Sequence, residues 1–128
     1  MAFCKEAGIK RELIVPYDAQ QNGVVVRENL SIEECVRVML HDQGLPKFLW
    51  GKASVTTTYI QNRSPHKIID DMTLEEEFTI KKSNVDHLII FGCPVYIHIP
   101  KGKRRKLDPS CMKGIFVGYR NSSKAYRV

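Results

Sequence analysis

The sequence predicts an α+β fold, helical in its first half and strand-rich in its tail. Three observations carry that reading. Apolar residues recur at helical spacing through residues 24–40 and again through 46–62. After Asn84 come short runs of β-branched and aromatic residues, separated by Gly, Pro, Asp and Ser. The charge shifts at the same place. Residues 1–65 carry eight basic and seven acidic side chains, residues 66–86 three and six, and residues 87–128 nine and one.

The elements follow in order. Ile9 to Val15 ends in Leu13, Ile14 and Val15 before Pro16, and reads as a short strand closed by proline. Pro16 to Gly23 (PYDAQQNG) is turn chemistry, with Asn22 placed to cap a helix. From Val24 to Leu40, Val26, Leu30, Val36 and Leu40 make one helical stripe, widened by Cys35 and Met39, until Gly44 and Pro46 break it. A second helix spans about Pro46 to Asn62, since proline suits a first helical turn. Its expected buried face is Phe48, Leu49, Ala53, Thr56, Thr57 and Ile60, flanked by Trp50 and Tyr59. Ser64-Pro65 stops it, and residues 66–72 read as loop. Thr73 followed three residues later by Glu76 has the spacing of a capping box, so a short helix is expected from Thr73 to Phe78.

In the tail, Leu88 to Phe91, Val95 to Ile99, Lys113 to Tyr119 and Ala125 to Val128 read as strands of a small antiparallel sheet or barrel. Val95, Ile97 and Ile99 alternate with Tyr96 and His98, as a half-buried strand requires.

Composition excludes several classes. The 128 residues are 43% hydrophobic and 27% charged, a globular balance with room for one ordinary domain or parts of two small ones. No apolar run approaches the roughly 18–20 residues of a membrane span, so no membrane partner is expected. The N-terminus has no apolar signal core, and the expectation is an unsecreted, intracellular chain in nucleus or cytoplasm. Cys4, Cys35, Cys93 and Cys111 form no C-x-x-C pair, so a zinc ribbon is unsupported and four reduced thiols are expected.

Twenty Lys and Arg against 14 Asp and Glu give a formal net charge of +6, which suggests a polyanionic partner. Five of the tail's nine cations share one turn: Lys101, Lys103, Arg104, Arg105 and Lys106. Clustered cations displace counterions from nucleic acid, so this turn is the candidate nucleic-acid-binding site; the alternative is a solvated basic loop.

Residues 8–31 read GIKRELIVPYDAQQNGVVVRENLS. This resembles the last motif of the integrase core of copia-type retrotransposons, GI…PY-x-P-Q-Q-N-G-V-x-E-R-x-N. Further pieces resemble the same family in the same order: GLPKFLW at Gly44 to Trp50, YIQNRSP at Tyr59 to Pro65, NVDHLIIFGC at Asn84 to Cys93, GIFVGY at Gly114 to Tyr119 and SKAY at Ser123 to Tyr126. The resemblance implies residues 1–65 as the C-terminal part of a ribonuclease H-like integrase core. It implies residues 66–86 as a linker with a short helix, and residues 87–128 as a truncated SH3-like domain with an incomplete barrel.

Such cores hold two metal ions, usually magnesium, with two aspartates and a glutamate, for in-line attack on a phosphodiester. The family's aspartates lie on earlier strands and are expected to be absent here. Its glutamate position falls on Val26, which has no oxygen donor. Glu28 lies about 200° around the helix from Val26, and Glu33 about 10 Å further along it, so neither replaces the ligand. Ala19 stands where the family has proline. The expectation is therefore a catalytically inactive fragment with no cofactor of its own. It would bind nucleic acid non-specifically or, as the alternative, act as a domesticated interaction module for other integrase-derived chains.

His87 and Cys93 lack two further ligands for a metal site, and packing at the junction of the two segments is the simpler role. His41, His66 and His98 are scattered. Phe48 and Trp50 are expected in a core. Phe91, Tyr96, Phe116, Tyr119 and Tyr126 read as barrel core in preference to a platform for stacked bases.

Overall fold

Helix α1 spans Gly23–Asp42, starting one residue after Asn22. Gly44, in the left-handed region at φ 58°, closes it. The N–H groups of Gly44 and Leu45 then donate to the His41 and Leu40 carbonyls. The computed structural model that gives this geometry describes residues 4, 6–10, 15, 22–69, 71–120, 123 and 125–128. Two compact units are distinguished within the chain, Met1–Ser31 and Ile32–Val128. In the first, the Ile9 N–H donates to the Cys4 carbonyl at 2.8 Å. The expected strand Ile9 to Val15 falls largely outside the described residues; Ile9, Lys10 and Val15 themselves are not in a strand. The expected turn is likewise outside them from Pro16 to Gln21. No residue of α1 is fully buried; Cys35, Val36, Met39 and Leu40 of its stripe are half-buried in the second unit.

In the second unit, Pro46 precedes a single helical turn, Lys47–Leu49, which leads directly into helix α2, Trp50–Gln61. Ala53, Thr56 and Thr57 are its buried residues. The two threonines enter a core because each hydroxyl finds an acceptor: Thr56 donates to the Lys52 carbonyl at 2.9 Å, and Thr57 to the Met39 sulfur at 3.6 Å. Phe48 and Trp50 are corrections to the sequence reading, being 78% and 65% exposed. The covering strand crosses α2 near Thr56, where a Cβ on Gly118 would come within 3.0 Å of the threonine hydroxyl. Trp50 lies about 9 Å back along the helix axis from that crossing.

Helix α3 spans Leu74–Thr79 and carries the full capping box. The Thr73 hydroxyl accepts from the Glu76 N–H at 3.1 Å, and the Glu76 carboxylate accepts from the Thr73 N–H at 3.0 Å. A third N–H, from Ser83, donates to the same carboxylate at 2.9 Å. The Thr73 and Ser83 N–H groups hold the Glu76 carboxyl below its ordinary value. Arg63, at the end of α2, pairs with Glu75 at 2.6 Å while its guanidinium sits 3.6 Å over the Tyr59 ring.

The tail forms two antiparallel ladders among the described residues and no closed sheet. Strand β1, Pro94–His98, pairs with β2, Cys111–Ile115; strand β3, Gly118–Tyr119, pairs with β4, Tyr126–Arg127. Two expected strands need correction. Lys113 to Tyr119 is two strands, because the chain changes partner at Phe116: its N–H donates to the Cys93 carbonyl, whereas the next N–H, of Val117, donates to Arg127. Leu88 to Phe91 is not a strand, because a tyrosine hydroxyl takes the ladder's place: Tyr119 accepts from the Ile89 N–H and donates to the Ile89 carbonyl.

Candidate nucleic-acid interface

The β1–β2 hairpin carries the basic turn at its tip. The ladder runs in register from Pro94 opposite Ile115 to His98 opposite Cys111. The Ile99 N–H extends it by donating to the Ser110 carbonyl at 2.9 Å. Beyond it, Lys101–Lys103 forms one helical turn after Pro100, whose fixed ring starts such a turn readily. The chain then closes on itself at Asp108. Its carboxylate accepts from the Arg105 N–H at 2.6 Å, and its own N–H donates to the Arg105 carbonyl at 3.1 Å.

This tethers the tail's one acid to backbone. Lys101, Lys103, Arg105 and Lys106 are exposed and Arg104 half-buried. Among the described residues the ion pair found is Arg63–Glu75, which lies elsewhere, and the five cations outnumber the turn's single carboxylate, Asp108. Sequence reasoning named all five, and the fold brings them onto one turn.

The ribbon has two unlike faces. Val95 and Ile97 share one face with Gly114 and Met112, and of these Val95 and Gly114 are half-buried. Val128 lies so close over that face that a Cβ on Gly114 would clash with its Cγ1. On the outer face Tyr96 stands opposite Lys113 and His98 opposite Cys111, all four exposed. The aromatic residues of the tail therefore divide. Phe91, Phe116 and Tyr119 are buried, whereas Tyr96 and Tyr126 are exposed, a correction to their reading as barrel core. Tyr96 alternates outward by strand geometry, and Tyr126 sits on a two-residue edge strand.

The core of this unit is an aromatic cluster that spacing alone does not reveal. Tyr59 of α2 stacks on Tyr119 of β3, with His87 set edge-on to both rings. The Tyr59 hydroxyl and His87 Nε2 are 2.7 Å apart, and the Tyr126 hydroxyl donates to the His87 carbonyl at 3.2 Å. His87 thus packs against the rings of Tyr59 and Tyr119. Burial pushes the Tyr119 phenol above its ordinary value, against the opposing pull of its bond to Ile89. A cleft of about 770 Å³ opens beside the cluster. Its lining mixes Arg63, Lys81, Lys82 and Arg120 with Glu75 and Asp86, so it offers no such one-signed field as the turn does.

Val26 lies in the first unit, 47% exposed on α1. The magnesium pair implied by the resemblance does not fit the residues there, since an isopropyl group offers a metal no lone pair. Among the described residues no three of His, Cys, Asp and Glu gather closely enough to hold a metal ion, and no helix is long and apolar enough to cross a membrane.

Residues 93–128 match the model of the retroviral polymerase SH3-like domain. The chain is 40% identical over 126 residues to the retrovirus-related Pol polyprotein from transposon TNT 1-94 of Nicotiana tabacum, covering 98% of this chain and 10% of that polyprotein. It is also 36% identical over 86 residues to an uncharacterized mitochondrial protein of Arabidopsis thaliana, covering 67% of this chain and 69% of that protein. The chain thus spans about a tenth of the tobacco polyprotein. No solved structure matches.

Proposed function

The chain belongs to the copia-type retrotransposon Pol family, and from that premise we propose that it binds nucleic acid without performing chemistry on it. In this reading residues 1–65 are the end of an integrase core of ribonuclease H-like descent. Residues 66–86 link it to the SH3-like segment, which makes the nucleic-acid contacts. Similarity to a Pol polyprotein on both sides of residue 93 supports that continuity.

The observation that carries the reading is the β1–β2 turn. Lys101, Lys103, Arg104, Arg105 and Lys106 sit together at a hairpin tip, and their nearest acid is held on backbone. Such a cluster replaces condensed counterions along a phosphate backbone, and the entropy of their release drives binding. Phosphate contacts fix position without reading bases, so binding is independent of sequence. The test is an electrophoretic shift of DNA at low salt. The shifted band should fade as salt rises, and weaken when Lys103, Arg104 and Arg105 are changed together to Ala. Binding indifferent to both would overturn the reading.

Val26 supports the absence of catalysis. A magnesium-dependent cleavage assay should give no product. Cleavage abolished by Glu28→Gln or Glu33→Gln would overturn this part.

A second reading is favoured by the apolar surface left open on the helices. In the second unit Val38, Phe48, Trp50 and Phe78 are each exposed, and exposed apolar side chains are what interaction surfaces use. Here the chain is an interaction module for other integrase-derived chains. Sedimentation should then give a defined oligomer or complex; a monomer that ignores such chains would count against it.

A further inference from the structure

We infer that the outer face of the β1–β2 ribbon is a platform for an unpaired base, with Tyr96 as the stacking ring, so that the chain favours single-stranded nucleic acid over duplex. The inference rests on the basic-turn reading and names the class of strand that the site takes.

Tyr96 is the unusual aromatic of the tail. Phe116, Tyr119 and Tyr126 all meet one another's rings, and Phe91 is buried. Tyr96 is 70% exposed and meets no other aromatic ring among the described residues. Its position is set by the ladder. Val128 lies over Gly114 on the face that Val95 shares, so strand alternation sets Tyr96 on the opposite face. A tyrosine there costs apolar exposure without adding packing.

Its neighbours suit a nucleotide. Lys113 lies directly opposite on β2, which puts a cation beside the ring. His98 follows two residues on, on the same face, and the strand then runs through Pro100 into the basic turn. From Tyr96 to Lys101 is about 16 Å of extended chain at roughly 3.3 Å per residue. One strand can therefore lay a base on the ring while phosphates a few nucleotides along it meet the turn. Every base has a π-face, so the platform is tolerant of sequence. In a duplex those faces are already stacked on neighbouring pairs, and the ring contributes nothing there.

The test compares oligothymidine of about 20 nucleotides with a hairpin duplex of the same length, by fluorescence anisotropy at one salt concentration. The parent chain should bind oligothymidine more tightly. Tyr96→Ala should weaken that binding about tenfold and leave duplex binding unchanged, while Tyr96→Phe keeps it, because stacking needs the ring and not the hydroxyl. Cys111, exposed on the same face, should lose reactivity toward a thiol reagent when oligothymidine is bound. A preference for duplex, or an equal affinity of Tyr96→Ala and the parent for oligothymidine, overturns the inference and leaves the basic turn standing. Failure to bind either nucleic acid overturns both.

Discussion

The rings of Tyr59 and Tyr119 lie stacked, 4.5 Å apart between centroids and 19° from parallel, and fasten helix α2 to strand β3. Around that pair the second unit is built. His87 bridges to Tyr59, and the Tyr119 hydroxyl replaces a strand partner for Ile89.

Tyr119→Phe should therefore cost more than the loss of one hydroxyl suggests. The ring stays, but the N–H and carbonyl of Ile89 both lose their partner in a part-buried place. The expected loss is about 1–3 kcal/mol, read from urea denaturation. Tyr59→Phe, which breaks only the contact to His87, should cost less, near 1 kcal/mol. Equal stability of Tyr119→Phe and the parent would contradict this role for the hydroxyl.

Alkaline pH probes the same group. The folded pKa of Tyr119 is raised, chiefly by burial, above its ordinary value of 10.0. The stability this contributes is fully present below the unfolded value and is lost as pH rises through the folded one. Tyrosinate absorbance followed against pH should show a late ionisation step, together with loss of tertiary structure. In Tyr119→Phe that late step should disappear; its persistence would assign it to another tyrosine.

The capping box of α3 responds at the opposite end of the scale. Backbone N–H groups of Thr73 and Ser83 hold Glu76 below its ordinary value of 4.5. Its support of the cap is present above the unfolded value and is lost as pH falls through the folded one. Protection of the Thr73 and Ser83 amides from exchange, relative to an unstructured chain at the same pH, should fall across that acid range, and in Glu76→Ala it should be low at neutral pH already. Thr73→Ala should cost about 1 kcal/mol by removal of the cap itself. Slow exchange at Ser83 in Glu76→Ala would show that the carboxylate is not its partner.

Much of this was legible where the physics is local. Thr73 and Glu76 announce their own cap, Pro46 announces a helical start, and alternation from Val95 to Ile99 announces β1. The five cations of the turn are adjacent in sequence, so their grouping needs no tertiary knowledge. What depended on distant partners was not legible. Phe48 and Trp50 look like core until the crossing point of β3 is known. Phe116 looks like mid-strand until its neighbours are seen to bond to different strands. Leu88 to Phe91 has strand composition, but the hydroxyl of a residue 30 positions away serves Ile89 instead. Tyr59 and His87, 28 residues apart, carry no local signal of their contact.

The most direct test of the central proposal is the salt dependence of DNA affinity. Each phosphate contact adds about −0.9 to the slope of log affinity against log salt on duplex DNA. Replacing Lys103, Arg104 and Arg105 together by Ala should make that slope shallower by about 2–3. Identical slopes for the variant and the parent would show that the hairpin turn does not touch the phosphate backbone.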